Sequence, residues 1–164
     1  MRNSKLSLAV LALVIGASAV QAQTNNASVT ATATVQTPIN VLGAQALNFG
    51  NVFPGLNKTV AATDVTNAGR FDVAGQASAP VTLSFTLPAT LSFGANTMPI
   101  DTYTGISAPV STQVGGVAFN PVTGANPTLS GTGALFVWIG ARVTPATNQA
   151  QGVYTALVAM TVVY

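Results

Sequence analysis

The chain of 164 residues contains no cysteine and no histidine, and its three acidic residues are all aspartates, Asp64, Asp72 and Asp101. Without cysteine there is no disulfide, no lipid-anchored cysteine and no thiolate nucleophile or metal ligand. Without histidine the Ser/His/Asp, Cys/His and histidine-ligated zinc arrangements cannot be assembled. Charge is scarce as well. Charged residues make up 5% of the chain, against about a quarter in a typical soluble domain.

The charge that exists is unevenly placed. Of the five basic residues, Arg2 and Lys5 precede an apolar run from Leu6 to Ile15, and Val20-Gln21-Ala22 then supplies small residues, the pattern of a secretory leader. The run is too short to span a bilayer as a helix. Residues 1–22 are therefore expected to be a signal peptide cleaved after Ala22. The alternative is an uncleaved membrane anchor. Residues 23–164 are expected to form a single domain with no transmembrane helix, secreted or periplasmic and then at the cell surface. Removing Arg2 and Lys5 leaves Lys58, Arg70 and Arg142 against the three aspartates, three minus three, a net side-chain charge of zero. Such a chain lacks the basic patch that a phosphate backbone requires, which excludes nucleic acid as a partner. Near-zero net charge favours association.

What is present is β patterning. Short Val/Thr/Ala/Phe runs are separated by Gly, Pro and Asn, the signature of an all-β sandwich or barrel. Two runs alternate strictly. Ala27, Val29, Ala31, Ala33 and Val35 interleave with Ser28, Thr30, Thr32 and Thr34, and Pro38 ends the run. At the other end, Tyr154, Ala156, Val158, Met160, Val162 and Tyr164 share one apolar face. A strand of about eleven residues there would span about 37 Å. Between them, strands are expected at Ile39–Val41, Gln45–Phe49, Lys58–Val65, Arg70–Ala74, Val81–Leu87, Leu91–Phe93 and Leu135–Val143. The Gly/Pro/Asn-rich stretch from Gly94 to Gly133 reads as long loops with one strand near Gly116–Phe119. Close spacing favours antiparallel pairing.

The remaining polar groups offer little chemistry. The aspartates are expected to cap turns or to pair with Lys58, Arg70 and Arg142, since no Asp-rich calcium loop occurs. Tyr103 and Trp138 would stack on a sugar, but Trp138 lies mid-strand, where a packed tryptophan is the commoner arrangement. Asn26-Ala27-Ser28 and Asn57-Lys58-Thr59 match the glycosylation sequon and carry little weight in a chain of bacterial style. No catalytic residue, metal site or cofactor is assigned, and the protein is expected not to be an enzyme.

Leu47-Asn-Phe-Gly50 with Pro54-Gly55, then Arg70-Phe-Asp-Val-Ala-Gly75, Val81 to Pro88, and Asn148-Gln-Ala-Gln-Gly-Val-Tyr154 with the terminal run, resemble in order and spacing a family of bacterial secreted domains of unknown function. The closing block also resembles subunits of archaic chaperone–usher pili and spore-coat-U-like proteins. That resemblance implies an immunoglobulin-like antiparallel β-sandwich lacking one strand. A periplasmic chaperone covers the resulting groove until the N-terminal extension of the next subunit fills it, a case of β-augmentation. It further implies that Ala27, Val29, Ala31, Ala33 and Val35 form an assembly donor strand within residues 23–36, and that Tyr154, Val158, Met160, Val162 and Tyr164 line the groove. The chain departs from those pilins in lacking their common disulfide. Residues 27–35 would equally serve as the domain's own first strand.

The expected function is an exported structural subunit of a pilus-like or cell-surface (fimbrial) assembly, joined by β-strand addition to copies of itself or related subunits with the help of a chaperone and usher. An outer-membrane β-barrel also ends on an alternating strand with a terminal aromatic and is the first alternative. A soluble, monomeric secreted binding module closed in cis is the second.

Overall fold

A computed structural model describes residues 25–164 of the protein; the leader expected at residues 1–22 lies outside them. The chain divides into two units, Met1–Thr34 and Val35–Tyr164. In the first, residues 25–34 are exposed and carry no strand.

The second unit is all-β and antiparallel, with no helix among the described residues. Its strands are β1 (Asn40–Gln45), β2 (Lys58–Val60), β3 (Gly69–Ala74), β4 (Thr82–Thr86), β5 (Thr90–Phe93), β6 (Asn96–Ala108), β7 (Val117–Phe119), β8 (Ala134–Val143) and β9 (Ala159–Val163).

The apolar run Leu135–Val143 builds β8, which is central to the larger, seven-stranded sheet. One edge of β8 pairs first with β3 and then with β2, and the other edge pairs with β6. Beyond β3 lies β1; beyond β6 lie β5 and β7. The sheet is open, because its outer strands β1 and β5 do not pair with each other.

Both faces of β8 are covered, as a continuous apolar strand requires. On one face Leu135, Val137 and Ile139 pack with Val73, Val81, Leu83 and Leu129. On the other, Trp138 packs with Val60, Ala62, Ala68, Ile106 and Ala108. The second cover runs very close to the strand. A Cβ added at Gly140 would lie 2.4 Å from the Ala62 nitrogen and 2.4 Å from the Val60 oxygen, so only glycine admits the crossing chain.

The first face of β8 is covered by a second, two-stranded sheet of β4 and β9, with Leu83 opposite Val162 and Phe85 opposite Met160. The other edge of β4 is occupied by the loop at 125–127: Leu83 N–H donates to the Ala125 carbonyl at 2.8 Å, and Val81 N–H to that of Pro127 at 2.9 Å. Strand β9 pairs only with β4, so its outer edge carries no ladder among the described residues.

The strands expected at Gln45–Phe49 and Lys58–Val65 are cut back to Gln45, the end of β1, and to Lys58–Val60, and three further elements differ from the sequence reading. Residues 27–35 form no strand, since alternation alone does not make a ladder without a neighbour to pair with. The terminal strand is shorter than expected. Pairing with β4 stops at Thr86–Ala159, where Leu87-Pro88 ends β4 and proline offers no further N–H. Residues 152–158 keep only an isolated bridge, Thr155 to Ser92. The third difference is β6, which at 13 residues is the longest strand and lies where loops were expected. Pro99 and Gly105 disguise it, and so does a bulge. Three steps along β6, Asp101 to Thr104, face two along β8, Arg142 to Gly140. Thr102 within the bulge has a φ of +50°, rare for a β-branched residue.

Replacing Gly140 with alanine is expected to lower stability by about 1–3 kcal/mol or more, the range of core overpacking. Gly43→Ala, where the new methyl meets nothing within 4 Å, should stay within about 0.5 kcal/mol of the parent. Urea unfolding midpoints of the two variants check this. Equal midpoints would mean that the 60–62 segment does not press on β8.

Candidate functional site

The run before β9, which forms no ladder, borders an apolar cavity of about 650 Å³. One wall is the stretch from Gly43 to Val52, and the opposite wall is Gly152 to Val158. The floor is the inner face of the large sheet: Phe71 of β3, Ile139 and Val143 of β8, and Met98 and Ile100 of β6.

Local sequence explains each wall. In Leu47-Asn-Phe-Gly50 the period of two turns Leu47 and Phe49 toward the core, where both are half-buried, and leaves Asn48 and Gly50 exposed. Asn48 N–H donates to the Asn67 carbonyl at 2.9 Å, and its side-chain oxygen accepts from Gly50 N–H at 2.8 Å, holding the wall upright. Across the cavity, Tyr154 lies against Phe93 with ring centroids 5.8 Å apart. Its hydroxyl donates to the Ala150 carbonyl at 2.9 Å and accepts from Gln149 Nε2 at 2.7 Å. Within that wall Val153 and Leu157 are 79% and 88% exposed.

The expected site residues fall into three groups. Tyr154 and Val158 line the cavity. Met160 and Val162, on β9, are half-buried against the core cluster around Val73 and Val137. Tyr164 lies beyond β9, and its hydroxyl donates to the Thr37 carbonyl and accepts from Gln76 N–H. Ala27, Val29, Ala31, Ala33 and Val35 are exposed, Val29 and Val35 each at 95%. Sequence reasoning did not assign Leu47, Phe49, Phe71, Leu91, Met98 and Ile100 to the cavity. The alternation in Leu47-Asn-Phe-Gly50 and in Arg70-Phe-Asp-Val was the available signal.

Among the described residues, no charged side chain lines the cavity. Arg142 grips Asp101 through Nε at 2.9 Å and a terminal nitrogen at 3.1 Å, from the directly opposed position on β8. Arg142, and then Thr102, hold the Asp101 carboxyl below its ordinary value. Arg70 and Asp72, two residues apart on β3, pair at 2.8 Å. Asp64 accepts from the Asn67 side chain and from the N–H groups of Asn67 and Thr66, which lower its pKa in that order. Lys58 donates to the Asn51 carbonyl at 3.1 Å. The three carboxylates thus sit in three separate places. Trp138 is buried in the second face of the sheet. Tyr103 packs at the junction of two core clusters and donates to the Pro88 carbonyl at 2.7 Å. Burial, with help from Asp101, pushes its hydroxyl up to about 12.

No helix of the described residues is long and apolar enough to cross a membrane, and among them no cluster of acidic side chains could hold a metal ion. No protein-family model matches the chain, and comparison with curated proteins finds no match.

The Tyr103 shift has a defined pH consequence. The fold favours the neutral phenol, so its contribution is complete below the ordinary value of 10.0 and disappears as pH rises through about 12. Tyrosinate absorbance is expected to show one delayed phase near that pH, absent in Tyr103→Phe. A Tyr103→Phe titration identical to the parent would refute it. The opposite sign holds for Asp101. Its contribution is present above 3.8 and is lost as pH falls below it. Asp101→Asn should therefore flatten the acid limb of the stability curve.

Proposed function

We propose that the protein is an exported structural subunit that joins its neighbours by β-strand addition, its groove receiving an extended strand from another copy or a related subunit. The observation that carries this reading is the apolar cavity between Gly43–Val52 and Gly152–Val158, the second of which makes a single isolated bridge, Thr155 to Ser92, and no ladder. An inserted strand would satisfy that run with main-chain hydrogen bonds and fill the cavity with every second side chain. On this reading the two sheets are the layers of an immunoglobulin-like sandwich missing one strand.

The exposed run Ala27–Val35 suits the role of donor. Extended, its nine residues would span about 30 Å, and its apolar face is small enough for a shallow groove. Its two large side chains, Val29 and Val35, are left in solvent. The resemblance to archaic chaperone–usher pilins and spore-coat-U-like proteins supports the same assembly and suggests a periplasmic chaperone as a temporary occupant. The near absence of charge suits a chain buried against its own copies.

The alternatives find less support. An outer-membrane barrel would need a closed sheet, because hydrocarbon cannot satisfy open edges, and the large sheet is open. A monomeric module closed in cis would need residues 27–35 paired as a first strand, and they carry no strand.

The test is size-exclusion chromatography with negative-stain microscopy on the chain from Gln23 and on one starting at Thr37. Oligomers or filaments that disappear on truncation, leaving a folded remainder, are expected. A monomer that unfolds on truncation would overturn the reading in favour of cis closure. Val29→Asp with Val35→Asp should likewise abolish polymer without unfolding the domain, since both side chains are exposed in the free chain. Met160→Asp should unfold the domain itself, because it buries an unpaired charge.

A further inference from the structure

Resting on the strand-addition reading, we infer that Tyr164 is a positioning residue that keeps the groove from being filled by its own chain, so that the strand it takes comes from a second copy. The observation is a three-way clamp at the root of the N-terminal segment. Tyr164 Oη donates to the Thr37 carbonyl and accepts from Gln76 N–H at 2.7 Å. Gln76 Oε1 in turn accepts from Thr37 N–H at 3.3 Å. Both main-chain polar groups of Thr37 are thereby engaged.

The clamp sits where self-insertion would have to turn. Thr37 lies at the Tyr164 end of the terminal run, while the cavity is flanked by Gly43–Val52 and Gly152–Val158. The chain from Thr37 through β1 therefore runs opposite in direction to the chain from Gly152 to Tyr164. For residues 27–35 to enter their own groove, they would have to form a hairpin with β1 whose turn is Thr37-Pro38-Ile39, and they would then lie parallel to β9.

Two features oppose that turn. Pro38 pushes the preceding residue out of the helical region into extended conformations. A turn at Thr37 would also break the two main-chain bonds that the clamp makes. A strand from another copy meets neither obstacle and is free to lie antiparallel to β9, the stronger pairing. The clamp's own room is set by Gly75. A Cβ there would lie 2.7 Å from Tyr164 Oη, so a methyl at position 75 displaces the hydroxyl without altering Tyr164.

The absence of native cysteine makes the test direct. Val29→Cys and Val158→Cys are placed in one full chain, oxidised in dilute solution and separated without reductant, in three backgrounds: parent, Tyr164→Phe and Gly75→Ala. The parent is expected to give an intermolecular ladder. Each clamp variant is expected to raise the compact, intramolecularly crosslinked monomer by about tenfold relative to the ladder, the effect of losing one or two ordinary hydrogen bonds. An unchanged ratio in both variants, with the ladder intact, overturns the clamp and leaves strand addition standing. An absence of crosslinks in every background, with all three proteins folded by circular dichroism, overturns strand addition and the clamp with it.

Discussion

Strand β8 is apolar on both faces, and the rest of the molecule is arranged around covering it. A central strand of this kind cannot face water on either side, so one cover must be supplied by β4 and β9 and the other by the chain between Val60 and Ala68. The second cover is tight, to the point of excluding a methyl group at Gly140. The first is incomplete. Strands β4 and β9 cover the part of this face around Leu135 and Val137, whereas Met98, Ile100 and Val143 are covered by the side chains of Leu47, Phe49, Val52, Leu91 and Tyr154, and the cavity lies among these. The groove is therefore the part of that face covered by half-buried side chains in place of a strand.

An incomplete cover of this kind has two physical costs that one event removes. Half-buried aromatic and aliphatic side chains remain partly wet, and the run from Gly152 to Val158 has a single bridge to another strand in place of a ladder. An added strand addresses both, through alternate side chains on the floor and a ladder along that run. Neither a rigid small molecule nor a helix would address the second. That is why the missing ladder, more than the cavity volume, points to a peptide segment as the occupant.

Much of the architecture was legible in the sequence because strands declare themselves by composition where they are apolar. The runs at Arg70–Ala74, Val81–Leu87 and Leu135–Val143 sit within a residue or two of β3, β4 and β8. Strand β6 was hidden because its residues are those of loops: Pro99, Asp101, Gly105, and a threonine at positive φ in a bulge. Neighbours on both sides, β8 and then β5 or β7, hold it extended where its own composition does not. The terminal run shows the converse. Its alternation continues from Gly152 to Tyr164, yet only Ala159–Val163 has a partner along its length. Periodicity reports which face a segment would present; it does not report whether a neighbouring strand is there. The cavity wall at Leu47–Phe49 was visible as a motif, while the floor residue Phe71 was visible only as part of a strand. Nothing local in the sequence says that these two segments, more than twenty residues apart, border the same space.

Most of the formal charges of the second unit are consumed inside the fold. Asp101 is gripped by Arg142, Asp72 by Arg70, and Asp64 by the turn that follows it. A surface organised this way projects almost no long-range field. Copies approaching one another would do so without electrostatic guidance, at the slow basal rates of about 10⁵–10⁶ M⁻¹s⁻¹ rather than at steered ones. Ionic strength would then have little hold over the encounter. If copies join as proposed, joining would be governed by local concentration and by how long an extended segment stays in a groove, a kinetic regime indifferent to the salt of the surrounding medium.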